Sequence, residues 1–424
     1  MSNAVVIECY TYTRRITDGA YSGWDTTVST LHNSNSRIAR VINTKCSISE
    51  NNVGEMSFTL LPDHPEYNTI AIRRSEILLK IRDVPVFCGY VEKVSDNFYR
   101  QRTITCRGVL NYLKDSVLRT NRYLCNKNNG RSNMYNLLNG EQIGAVGSAE
   151  YSGPGWIRQH NELMGDCTWK HFRITTNTLH ESTSDTGSKF KTLSSYITDN
   201  ETTYSAIENK LLKDNGTLIN VALSVDNNSI VKTLHCYSGE DAIVESSNTI
   251  KTIAYGKNLI DYSAVINGSD VASNIYPFGV RQDGDLEEVQ DRLTIKSVNN
   301  NVDYIENDNA VTNYGRIYTV KTWDDFTNVS QAANLMNVAE TEIENKALRI
   351  ESIDITAAAL YSLTGDDKVT VLYDVLRIFS PVHGVNNDLV CTKINYDIDN
   401  PQNSRLHFGK TKKNLSSLIH NLRR

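Results

Sequence analysis

A mainly β protein with a minor helical share is what this sequence predicts. Three observations carry that expectation. Tyr outnumbers Trp and Phe, 22 against 4 and 9, and tyrosine suits half-buried sheet faces and wet interfaces. Several segments alternate apolar and polar residues with period two, the mark of a strand with one face on a core. Asn, Asp and Gly punctuate these segments where turns are needed.

The 424 residues exceed one compact core and suggest about two to four domains. Val5 to Tyr12 reads as a first strand, and Cys46-Ser47-Ile48 alternates within a second. In GEMSFTLLPDHPEY, Met56, Phe58 and Leu60 alternate with Ser57 and Thr59 until Pro62 and Pro65 end the strand. ILLKI and PVFCGYV form a hairpin around Arg82-Asp83, with RTITCRGV as the next neighbour. A meander of this kind tends to curl into a small barrel or sandwich. Leu110 and Leu113 share one face of a short helix.

Composition then shifts. NKNNGRSNMYNLLNG and HESTSDTGS are polar and read as long loops around a small insert. TTYSAIENKLLKDNG is the clearest helix: Tyr204, Ile207, Leu211 and Leu212 on one face, Thr202 or Thr203 as N-cap, Gly216 as stop. LINVALSV and IVKTLHCYS follow as strands. From Lys251 to Gly315 short half-buried strands alternate with Asn/Asp/Gly turns. A helix with Ala332, Leu335, Ala339 and Ile343 on one face interrupts the later strands LRIESIDITAAAL, DVLRIFSP and LVCTKINYD. The expected organisation is 1–116 and 256–410 as two barrel-like β domains, 117–199 as a polar inserted subdomain, 200–255 as a small helix-strand domain, and 411–424 as a tail. No repeat of 20–50 residues occurs.

Charge and cysteine usage exclude some functions. Lys and Arg number 44 against 49 acids, a net −5, without the basic stripe that neutralises phosphates. Eight cysteines stand singly, without Cys-x-x-Cys, and several lie in apolar strand patterns as small hydrophobes. Assembly in a reducing compartment follows. The start, MSNAVVIECYTYTRR, lacks a signal pattern, and no window approaches the ~18 apolar residues of a membrane span. The expectation is a soluble chain without a cleavable export signal.

Candidate chemistry is sparse. Asp166-Cys167-Thr168-Trp169 echoes the Asp-Cys-Ser-Gly opening of a peptidoglycan peptidase helix, with His171, His180 and His235 downstream. A thiolate needs a neighbouring imidazole, and Trp169 stands where a small residue is required. His160, Cys167, His171 and His180 cluster loosely, without the tight spacings of a zinc site, and there is no HExxH. Asp324-Asp325 and Asp366-Asp367 read as solvated turn caps. Asp283 to Glu288 lacks calcium-loop spacing, and GSAEYSGPG is no phosphate loop. No catalytic, cofactor-binding or metal residue is assigned, and no cofactor is expected.

Three strings carry a resemblance. Gly54, Phe58, Leu60, His64, Pro65, Tyr67, Phe87, Gly89, Val91, Cys106 and Gly108 fill the first; Gln159-His160-Asn161, Lys170 and Phe172 lie between. The Lys251–Gly315 run is the second. Ser380-Pro381, Gly384, Asp397, Asn400-Pro401, Arg405 and Gly409 form the third. Together they resemble the phage and prophage tail-hub family, the tail-associated "prophage endopeptidase tail" module, similar to the central trimeric baseplate hub of tailed phages. One departure is Arg82-Asp83-Val84, where the family often has Asp-Gly.

The resemblance implies two barrel-like domains per chain and a ring-shaped homotrimer. It implies a structural role, not an enzyme: closing the tail tube below the distal tail protein ring and opening for genome delivery. Implied partners are that ring, the tape-measure protein, and tip fibre or receptor-binding components, with DNA passing but not held. The implied location is the virion tail tip, assembled in the host bacterial cytoplasm. Many relatives extend into a hydrolase or fibre, whereas about fifteen residues follow Gly409 here, so a hub alone is expected. The competing readings are a short cell-wall peptidase and a glycan-binding receptor module served by tyrosine-rich loops.

Overall fold

The computed structural model describes residues 5–36, 39–123, 130–140, 154–181, 196–246, 251–280, 292–323, 326, 328–347, 350–358, 369–408 and 411–412. Asp283–Glu288, Asp324-Asp325, Asp366-Asp367, Cys125 and the tail beyond 412 lie outside them. Strand β1 (Val5–Thr17) is followed by β2 (Ala20–Asn33), β3 (Ile42–Ser49), β4 (Glu55–Leu60), β5 (Ser75–Ile81), β6 (Val84–Asp96) and β7 (Arg102–Gly108). Next come β8 (Asn121–Tyr123), α1 (Gly130–Asn139), α2 (Trp156–Met164), β9 (Leu179–His180), β10 (Tyr196–Thr198) and α3 (Thr203–Ala206). Then follow β11 (Leu218–Asp226), β12 (Ser229–Tyr237), α4 (Glu240–Ser246), β13 (Lys251–Ala254), β14 (Leu259–Asn267), β15 (Asn274–Phe278), β16 (Ile305–Glu306) and α5 (Asp308–Tyr314). The chain continues through β17 (Tyr318–Thr322), α6 (Ala332–Lys346), β18 (Ile350–Ala358), β19 (Val375–Ser380), β20 (Val385–Asp397), β21 (Arg405–Phe408) and β22 (Thr411–Lys412).

The chain divides into two compact units: residues 1–261 with 355–408, and residues 262–354 with 409–424. In the first unit the main sheet runs β21-β20-β3-β4-β7-β6-β5-β1-β2. Its interior includes Ile7, Met56, Phe58, Leu79 and Ile104, all fully buried. The expected barrels are corrected here, because the described sheets are open. The physical reason is visible at β3, which pairs with β20 and β4 and so does not close onto β2. Lys393 pairs with Ser49 and Asp397 with Lys45, so the last long strand extends the N-terminal sheet.

Strand β1 runs further than expected, to Thr17, because it forms a hairpin with β2 around Asp18-Gly19. Both turn residues have positive φ, 52° and 76°, the geometry that two-residue hairpin loops favour. Beyond Thr11, β1 leaves β5 and pairs with β2 alone. Its side chains from Thr13 onward are exposed, so this half has no apolar period.

The β5–β6 hairpin forms as expected, with Ile81 opposite Val84. Arg82 and Asp83 have φ of 51° and 64°, so the departure from Asp-Gly leaves two L-residues in left-handed backbone. Asp83→Gly is therefore expected to raise stability by about 0.5–1 kcal/mol, measured as a higher denaturation midpoint with an unchanged urea slope.

The segment read as a polar loop around residue 135 is corrected: Gly130–Asn139 is a helix. Met134, Leu137 and Leu138 are buried. Their i, i+3, i+4 spacing makes an apolar stripe that the surrounding Asn and Gly obscured. Helix α3 starts on Thr202, whose side chain accepts from Ser205 N at 3.1 Å, and continues as a π-helical stretch over Ile207–Asp214. Gly216, with φ +67°, lies beyond its end.

The second unit has a three-stranded sheet, β16-β15-β17, with β15 and β17 parallel. Helix α6 packs on it through Ala339 and Ile343 against Ala272 and Ile275, while Ala332 and Leu335 meet Leu293 and Ile295. All four expected helix positions are buried.

Candidate functional sites

The candidate thiol and imidazoles do not converge. Cys167 is half-buried, and its Sγ lies 3.9 Å from Asp166 Oδ1. Burial first, and the Asp166 charge second, push the thiol up from its ordinary value, opposite to what a nucleophile needs. His160 is fully buried, with Nδ1 2.6 Å from Ser116 Oγ and Nε2 3.0 Å from the Lys170 carbonyl. His180 Nε2 meets His235 Nδ1 at 2.9 Å. Among the described residues no group of three His, Cys, Asp or Glu could hold a metal ion. All seven described cysteines are free, and all except Cys167 are buried.

The buried histidines make the fold acid-sensitive. Burial lowers His160 to about 4, outweighing the Lys170 carbonyl, which acts the other way. His32, His171 and His235 are lowered too, each chiefly by burial. The unfolded imidazole takes a proton below its ordinary 6.5, while folded His160 stays neutral down to about 4. Stability is thus complete above pH 6.5 and is lost as pH falls through that window. His160 alone is expected to contribute a loss on the order of 2–3 kcal/mol. Melting temperature should be flat above neutrality and fall on acidification, less steeply in His160→Gln.

The sequence reading missed the most heavily buried charges. Glu76 on β5 and Lys232 on β12 have fully buried side chains, with Lys232 Nζ 3.0 Å from Glu76 Oε1. Tyr12 donates its hydroxyl to Glu76 Oε2 at 2.7 Å. Lys232 also donates to the carbonyls of Trp169 at 2.6 Å and Ile230 at 3.3 Å. The Trp169 ring stacks on Tyr12 at 4.4 Å, and Trp24 meets Trp169 edge-on at 4.8 Å. A signal existed: Ile230, Lys232, Leu234 and Cys236 share the buried face of β12, so the lysine sits in phase with the core. This centre ties the helix–strand insert to the first sheet and holds no open space for a substrate.

One open cleft has a volume of about 610 Å³. Lys45, Ser47, Glu55, Arg107, Asn395 and Asp397 line it. Arg107 is already committed to Glu55 at 2.9 Å and Glu92 at 3.0 Å. Ser47 Oγ in its wall donates to Asn395 Oδ1 at 2.8 Å.

The motif residues have structural roles. His64 Nε2 lies 2.8 Å from the Leu31 carbonyl, and Tyr67 donates to the Arg100 carbonyl at 2.7 Å. At Gly89 an added Cβ would lie 2.6 Å from the Arg107 carbonyl oxygen; at Gly108 it would lie 1.7 Å from that of Val53. In the last string, Asp397 Oδ1 accepts from Asn400 N at 2.8 Å, and Asp399 Oδ2 accepts from Thr44 N at 2.9 Å. These contacts pin the β20–β21 turn onto β3.

Residues 246–419 match the family described as "Prophage endopeptidase tail". The sequence has no significant match among curated proteins. Similar solved structures include prophage tail protein gp18 from Listeria monocytogenes EGD-e, at 11% identity and TM-score 0.45, covering 99% of this chain and 98% of that one. The tail protein from Neisseria meningitidis MC58 shows 9% identity and TM-score 0.49, covering 96% of each chain. The prophage MuSo2 43 kDa tail protein from Shewanella oneidensis shows 10% identity and TM-score 0.48, covering 96% and 98%.

Proposed function

We propose that this chain, whose residues 246–419 match the prophage endopeptidase tail family, is a structural hub of a phage, prophage or phage-tail-like particle. The family match carries the reading. The pairing of β20 with β3 supports its extension to the N-terminal part, since strands of the matched region continue the N-terminal sheet. On this reading three copies close the tail tube below the distal tail ring and open for genome delivery. A trimer can meet a sixfold ring on one side and a threefold tip on the other. Stiff, broad sheets suit such a load-bearing joint, and a net charge of −5 disfavours retention of passing DNA. The remaining partners would be the tape-measure protein and tip fibre or receptor-binding components, and the location the virion tail tip.

Light scattering across a concentration series tests the assembly, and immunogold labelling of particles tests the location. A mass near three times 47.7 kDa with labelling at the tail tip is the expected result. A chain monomeric at every concentration and absent from particles would overturn it.

A further inference from the structure

The small sheet of the second unit has a helix on one face only. Strands β15 and β17 pair in parallel, and parallel strands are ordinarily covered on both faces. Helix α6 covers the first face. Ile275 packs with Ala339 and Ile343, Lys346 Nζ lies 3.2 Å from Thr319 Oγ1, and Lys321 Nζ lies 2.8 Å from Glu342. Tyr276, Tyr318 and Val320 alternate with these residues and therefore point to the second face. The rings of Tyr276 and Tyr318 stack at 5.7 Å, and Tyr318 and Val320 are 48% and 64% exposed. Thr322, on the same face, is taken by Arg292, which donates to its Oγ1 at 2.9 Å. The uncovered part is thus an apolar strip centred on Tyr318 and Val320.

The chain itself carries a segment that fits this strip. After β22, Leu415, Leu418, Ile419 and Leu422 recur at i, i+3, i+4 and i+7, one side of a helix. Asn414 precedes them as a capping residue, and Arg423 and Arg424 follow, where cations suit a helix C-terminus. Ten residues of helix measure about 15 Å, close to the roughly 17 Å of a five-residue strand such as β15 or β17. A helix this short does not persist alone in water and needs a surface. The segment starts beside the sheet: Lys412 pairs with Ile350, shortly after α6, and the Lys346 carbonyl at the end of α6 accepts from Ala272 N at 3.1 Å, just before β15. Charge agrees. Residues 262–354 contain 16 acidic and 7 basic residues, whereas 409–424 contain 5 basic and no acidic ones. Covalent tethering adds a high effective concentration, which favours this segment over a second copy or a separate protein.

We propose that residues 413–424 dock as an amphipathic helix on the Tyr276–Tyr318–Val320 face, completing a helix–sheet–helix sandwich. The proposal does not depend on the hub reading. Hydroxyl-radical footprinting of the full chain tests it. Leu418→Asp combined with Ile419→Asp should raise oxidation of Tyr318 to the rate of Tyr99, an aromatic 74% exposed in the other unit, while Tyr99 itself stays unchanged. In the reciprocal variant, Val320→Asp should speed amide exchange across 415–422 by about tenfold or more, because an undocked helix of this length frays. Thermal melts confirm that each variant is folded. Tyr318 protection that survives the Leu418→Asp, Ile419→Asp change would mean that something else covers the face, and overturns the proposal. Amide exchange across 415–422 that is already unprotected in the unaltered chain overturns it too. Light scattering should give one mass for all three proteins; a lower mass in the Leu418→Asp, Ile419→Asp variant would put the contact between copies and also overturn the proposal. The trimer measurement on the unaltered chain stands apart from each of these results.

Discussion

Replacing Lys232 by Met alone should cost about 3–5 kcal/mol of unfolding free energy, because Glu76 would keep its buried place without a cation. Glu76→Gln should cost a comparable amount, leaving the ammonium with carbonyls only. Both side chains are completely buried, so water cannot rescue the survivor. The joint Glu76→Gln, Lys232→Met variant is expected to recover much of the loss, since removing both charges also removes both desolvation costs. The measurement is urea denaturation of the four proteins as a double-mutant cycle. Additive losses would show that the charges act separately. A neutral Lys232→Met would show that the pair does not hold the insert to the sheet.

The second large effect is expected from one added methyl group. A Cβ at Gly108 would sit 1.7 Å from the Val53 carbonyl oxygen and 2.9 Å from its carbon. Both are backbone atoms, so no side-chain rotation relieves the clash. Gly108 also donates its N–H to the Gly54 carbonyl at 3.0 Å, which fixes the approach. Gly108→Ala should therefore destabilise by about 3 kcal/mol, the upper part of the range for overpacked cores, or prevent soluble expression. Gly19→Ala is a useful contrast: nothing lies within 4 Å of its added Cβ, and only φ of +76° opposes it. It should cost about 1–2 kcal/mol, and the order of the two melting temperatures checks the argument.

Much of this protein is legible in its sequence for a local reason. Met56, Phe58 and Leu60 alternate because one sheet face is buried, and Ala332, Leu335, Ala339 and Ile343 repeat because one helix face is. Each pattern is complete within a few residues, so neighbours suffice to read it. The residues His64, Tyr67, Gly89 and Gly108 stand out in the sequence only as a motif, because their reasons lie in contacts with Leu31, Arg100, Arg107 and Val53.

Other features exist only once distant segments meet. Apart from Trp24, which packs on Trp169, the distal halves of β1 and β2 are mostly exposed and carry no periodic apolar signal, so pairing is what makes them strands. The sheet stays open because β20 takes the edge of β3, a choice made between residues such as Ser47 and Asn395, 348 positions apart. Glu76 and Lys232 read as ordinary charges until β5 and β12 bury them together. Tyr276 on β15 and Tyr318 on β17 stack only because the two strands pair in parallel. Side-chain period and turn chemistry are written in neighbouring residues, whereas strand partners, buried charge pairs and surface clusters depend on long-range contacts that no short window of sequence contains.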